Sequence, residues 1–136
     1  MEIEFPIEFV VYGTPISLQS SPKSKRDWKE KVKEASYGAL PEMHFWFEGE
    51  VAVTIYYFPA TTMEGDIDNI AKMIIDALGG HILKSDRQVA RVVVQRFNPE
   101  AVFEFSDPSE QLVEALTSED PSVFVRVSSD VTEELQ

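Results

Sequence analysis

Cysteine is absent, and only two histidines, His44 and His81, occur in 136 residues. The first absence removes disulfides, thiolate metal sites and thiol nucleophiles, and the second leaves a multi-histidine metal centre without ligands. No apolar run approaches the roughly 18 residues that a membrane span needs. The start, Met1-Glu2-Ile3-Glu4-Phe5-Pro6, carries no basic leader, so a cytoplasmic protein with no membrane partner is expected. Bases are scarce as well: 12 Lys and Arg stand against 24 Asp and Glu, a net charge of −12. Taken whole, such a chain is a poor ligand for a polyanion, because phosphate contacts rest on Lys and Arg.

What charge there is lies unevenly. Residues 100–136 hold ten acids and one base, Arg126, whereas residues 1–99 hold fourteen acids and eleven bases. Within 23–33 six bases face only Asp27 and Glu30. Lys23, Lys25, Arg26, Lys29 and Lys33 are therefore candidate phosphate contacts, although the same lysines equally suit a solvated helix face. Trp28 fits the core side of that helix better than a stacking ring. The body of the chain is near neutral, with a basic segment near its start and an acidic segment at its end.

Hydrophobic patterning predicts one α/β (α+β) domain with a mixed sheet. Alternation of Ile3, Phe5, Ile7, Phe9 and Val11 reads as a strand with one wet face. Trp28, Val32 and Ala35 recur at helical spacing from about Lys25 to Tyr37, ending near Gly38. Val51 to Phe58 is β-branched and aromatic and reads as a second strand, closed by Pro59. From Asn69 to Leu78, Ile70, Met73, Ile74, Ala77 and Leu78 form a helical stripe, stopped by Gly79-Gly80. Gln88 to Phe97 is a third strand. Asp107 as N-cap with Pro108 after it predicts a short helix to Leu116, followed by a strand at Val123 to Val127. We divide the chain into a core, 1–99, and an acidic C-terminal helix, strand and tail, 100–136, packed on that core or extending from it.

Three aspartates stand out against this background. Asp66 and Asp68 lie in Gly65-Asp66-Ile67-Asp68-Asn69, where a loop becomes the central helix, and Asp86 lies in Lys84-Ser85-Asp86-Arg87-Gln88, just before a strand. A helix start needs only one such acid as a cap. Carboxylates brought together repel one another, and a hard divalent cation relieves that repulsion; Mg²⁺ takes oxygen ligands and is commonly held by one or two carboxylates plus substrate phosphates. An extended Gly79–Ser85 segment is long enough to carry Asp86 back to the start of the helix, about 15 Å away. Lys72, one turn beyond Asp68, suits two roles equally by spacing alone: an ion pair with Asp68 or Asp76, or a cation at a transferring phosphate. Arg87, beside Asp86, suits either substrate contact or the sheet surface.

The block Asp66-Ile67-Asp68-Asn69-Ile70-Ala71-Lys72, its ending Asp76-Ala77-Leu78, and Asp86-Arg87-Gln88-Val89 resemble the RusA family of Holliday-junction resolvases. Gly13-Thr14-Pro15 is similar to that family's N-terminal Gly-x-Pro, and the likeness covers roughly residues 5 to 97. The resemblance implies a homodimeric, Mg²⁺-dependent endodeoxyribonuclease that resolves four-way DNA junctions by paired nicks. Asp66, Asp68 and Asp86 match its metal-binding acids and Lys72 its catalytic lysine. Two departures bear on DNA affinity: Thr62-Met63-Glu64-Gly65 stands where bases often precede the acid pair, and Ser17 to Ser21 replaces arginines after Gly-x-Pro. The competing expectation is a catalytically inactive DNA-binding relative regulated by its acidic tail. If the tail covers the basic surface, deleting residues 118–136 should strengthen DNA binding.

Overall fold

The computed structural model describes residues 3–16, 20–41, 46–61 and 67–132, with Asp68 described by its backbone. Four strands form one mixed sheet: β1 (Ile7–Tyr12), β2 (Val51–Phe58), β3 (Val89–Arg96) and β4 (Ser122–Ser128). Three helices flank it: α1 (Pro22–Tyr37), α2 (Asp68–Leu78) and α3 (Glu110–Thr117). The strand order is β1-β4-β2-β3, with β4 antiparallel to both neighbours and β2 parallel to β3. Helix α2 is thus the crossover between two parallel strands and runs opposite to them.

Alternation decides which helix covers which face. Val51, Val53, Ile55 and Tyr57 of β2 join Ile7, Phe9 and Val11 of β1 and Val123, Val125 and Val127 of β4 in one core, which α1 and α2 close with Trp28, Val32, Met73, Ile74 and Leu78. Nine of these side chains (Val32, Val51, Val53, Ile55, Ile74, Leu78, Val123, Val125 and Val127) are 0% exposed. Burying a side chain of that size stabilises the fold by roughly 1.5–3 kcal/mol. The other face carries a smaller core of Leu112, Ala115 and Phe124, against which Val10, Tyr56, Phe58 and Phe105 pack under α3. The sheet therefore lies between two helical layers.

Several boundaries differ from the sequence expectation, each for a local reason. Helix α1 begins three residues early, because Pro22 takes the first helical position and the Ser21 side chain accepts from the Ser24 N–H. Ser109, not Asp107, caps α3, its side chain accepting from the Leu112 N–H. Val89, Val92 and Val94 do not alternate strictly, because a register shift beside Val51 and Ala52 re-phases β3 against β2.

The largest difference concerns the C-terminal segment. β4 is an inner strand, and among the described residues β1 joins the rest of the sheet only through it. Residues 1–99 do not make a continuous sheet by themselves. The acidic stretch on either side of α3 lies against the face opposite α1, so in this fold it does not cover the basic helix. No described helix is long and apolar enough to cross a membrane.

Candidate active site

β1, β2 and β3 all run in the same direction, since Tyr12, Ser122 and Phe58 are aligned across the sheet and β2 pairs in parallel with β3. Their C-terminal ends form one rim. The chain leaves β1 there through Gly13-Thr14-Pro15 and leaves β2 there toward the start of α2. Gly13 has φ of +124° and its N–H donates to the Pro121 carbonyl at 2.8 Å. An added Cβ would meet only the movable Lys31 ammonium, at 2.7 Å, so it is the backbone conformation that calls for glycine.

Helix α1 lies alongside α2 with the same polarity. Lys29 Nζ is 3.8 Å from Asp76 Oδ2, and further along the Ser36 hydroxyl is 2.7 Å from His81 Nε2, just past the end of α2. Since the Ser36 hydroxyl also donates to the Lys33 carbonyl at 2.7 Å, His81 Nε2 carries the proton and donates to Ser36. Both residues are buried. Matched polarity brings Lys23, Lys25 and Arg26 toward the start of α2, with Lys29 at its last turn and Lys33 beyond. Lys29–Asp76 also takes up the acid expected to pair with Lys72. Lys72 is exposed and has no ion-pair partner among the described side chains.

Asp66 lies outside the described residues. Asp68 is the first residue of α2, and Ile67 holds the N-cap position with no side-chain hydrogen bond. An aliphatic residue thus stands at the N-cap position, and its side chain satisfies none of the first N–H groups of the helix. Among the described residues no three Asp, Glu or His side chains converge on a cation-sized position.

Asp86 is at the other end of the helix. The segment after α2 does not extend back along it: the Ile82 and Leu83 N–H groups both donate to the Leu78 carbonyl, at 3.1 and 3.2 Å, folding the chain into a turn. Phe47 N–H donates to the Ile82 carbonyl at 2.9 Å, which places this turn beside the start of β2. The helix itself, at 1.5 Å per residue, puts roughly 15 Å between its two ends. The return path expected from chain length is therefore not the one taken, because turn hydrogen bonds beat extension.

Asp86 is nevertheless held firmly. Ser85 and Gln88 make a capping box around the short turn Asp86–Gln88. Gln88 Oε1 accepts from the Lys84 and Ser85 N–H groups at 2.8 and 2.9 Å, and its Nε2 donates to the Phe47 and Gly49 carbonyls at 2.6 and 2.9 Å. The signal Ser-x-x-Gln was present in the sequence and marks a helical start; its role in tying Asp86 to β2 was not legible there. Two of these four bonds are exposed, so at roughly 0.5–1 kcal/mol each Gln88→Ala is expected to cost about 2–4 kcal/mol in denaturant unfolding.

Arg96 was also missed. It is the last residue of β3, paired across from Tyr57 on the face that α2 covers. Tyr57 is buried at that rim, and burial raises its phenol pKa, an effect partly offset by a hydrogen bond with Thr14 and by the nearby Arg96 cation. Arg96 therefore adds positive charge at the end where α2 begins. Arg87, exposed beside Asp86, is at the opposite end, and Arg91 points to the α3 side, so these bases do not form one row along β3.

A family model described as Endodeoxyribonuclease RusA matches residues 13–127, from the Gly13 turn to the end of β4. No curated protein matches the chain significantly.

Proposed function

The chain belongs to the RusA endodeoxyribonuclease family, and from that premise we propose that it is a Mg²⁺-dependent Holliday-junction resolvase acting as a homodimer. The family match carries the assignment to junction-resolving endonucleases. The donor set supports the metal: the candidate ligands are carboxylates, cysteine is absent, and His81 is buried against Ser36. Oxygen-only donors suit Mg²⁺. Asp66, Asp68 and Asp86 would hold the ion, which when bound lowers the pKa of an attacking water and offsets charge on the leaving oxygen.

The placement of Asp68 and Asp86 at opposite ends of α2 supports a dimer in which each site draws on both chains. β3 is a sheet edge, and Val92 on it is 44% exposed. Antiparallel pairing of two β3 edges about a two-fold axis sets the start of one β3 beside the end of the other. Asp86 and Arg87 of one chain then approach the start of α2, with Asp68, Lys72 and Arg96, in its mate. A junction has two-fold related strands, so two such sites meet two equivalent phosphates.

In that arrangement Lys72 holds its ammonium at the phosphate and stabilises the charge that develops there, while Lys23, Lys25, Arg26, Lys29 and Lys33 grip the flanking backbone. Lys72→Ala should lower turnover about 100-fold and leave the melting temperature in place, because the side chain is exposed. The direct test is a synthetic four-way junction with Mg²⁺. Paired, symmetry-related nicks that vanish with a chelator are expected. Absence of scission with any divalent ion, or equal cutting of linear duplex, would reject the reading.

A further inference from the structure

The sheet separates charge as well as cores. Residues 100–121, which surround α3, hold seven acids and no Lys or Arg, and all seven are exposed. Near them Arg126 is engaged by Glu8 at 3.1 Å, and Arg91 stands beyond, at the start of β3. The bases of α1 are on the opposite side. The acidic face also exposes apolar side chains: Val102 is 101% exposed, Val113 42% and Phe103 39%. A cavity of about 300 Å³ opens among Phe58, Phe97, Phe103 and Leu116, with Glu119 and Asp120 at its edge. Its walls are already assembled, with the Phe97 and Phe103 rings 4.6 Å apart.

Going beyond the nuclease reading, we propose that this face docks a Lys- and Arg-rich segment of a protein partner, which seats one aliphatic or aromatic side chain in the Phe58–Phe97–Phe103–Leu116 groove. Charge complementarity selects the partner. Seven exposed carboxylates, with no Lys or Arg among residues 100–121, repel DNA and draw a basic peptide, and a preformed slot walled by Phe58, Phe97, Phe103 and Leu116 supplies the anchor that charge alone lacks. A second copy fits poorly. Its own basic helix lies on the opposite face, so docking it here would be head-to-tail and would propagate without closing. The groove lies on the α3 side of the sheet but at the ends of β2 and β3, the rim where α2 begins, so a docked partner adjoins the substrate.

The test titrates the whole chain with an acetylated heptapeptide of three Lys and three Arg around a central Trp, and with its Gly-centred counterpart, followed by amide correlation spectra. The Trp peptide should shift amides of residues 97–120 and bind about tenfold tighter than the Gly peptide, a difference of about 1.4 kcal/mol. Combining Glu119→Lys with Asp120→Lys, both exposed, should weaken it at least about tenfold without changing the thermal transition. Equal affinity of the two peptides, shifts centred on Asp68 or Asp86, or no saturable binding would each overturn the proposal. Neither DNA nor metal enters the measurement, so its outcome is independent of the nuclease reading.

Discussion

Asp68→Asn and Asp86→Asn are each expected to lose junction cleavage by on the order of 10³-fold or more, as expected when a group that acts as one unit with its neighbours is removed. Mixed and allowed to exchange subunits, the two inactive proteins should regain activity. In a heterodimer built across β3 edges, one site combines both substitutions and the other combines both native aspartates. About a quarter of wild-type site activity should return when exchange is random. The product should be a junction nicked on one strand, because only one site per dimer is intact. If each site were built within one chain, every site in the mixture would carry a substitution and nothing would return. Full activity in either single variant would remove that aspartate from the site. Neither change should lower the melting temperature, since Asp→Asn keeps the size of the side chain and opens no cavity.

The second large effect follows from the position of β4. A chain ending at Thr117 should fail to fold, with no cooperative thermal transition and no dispersed amide spectrum. Val123, Val125 and Val127, each 0% exposed, leave the core, and β1 loses β4, its strand partner among the described residues. Losing a buried aliphatic side chain costs about 2–5 kcal/mol, so three of them together with a strand's hydrogen bonds exceed the roughly 5–15 kcal/mol that stabilises a typical domain. The same deletion, read from sequence alone, was expected to unmask a DNA-binding surface. A folded truncated chain that binds DNA more tightly would contradict the topology and favour the earlier expectation.

The acidic segment misled because composition reports charge without place. Ten acids after residue 99 suggest a detachable tail, but the run Ser122-Val123-Phe124-Val125-Arg126-Val127-Ser128 between them is apolar toward both faces. That is the pattern of an inner strand. Arg126, its one charge, is partly buried and bonded to Glu8 on β1. Asp86 misled differently. Chain length permitted a return to the start of α2, and only the hydrogen bonds of Ile82 and Leu83 to Leu78 show the path taken.

From its sequence alone this protein declares its periodicities, helix stops and chemistry-bearing residues, because these depend on neighbours within a few positions: the α2 stripe, the Gly79-Gly80 stop, the basic α1 and the aspartate motif. Tertiary structure alone decided that β4 lies between β1 and β2, that Asp68 and Asp86 occupy opposite ends of one helix, and that acid and base occupy opposite faces. Those facts depend on which surfaces bury each other across the sheet, and no local pattern encodes that pairing.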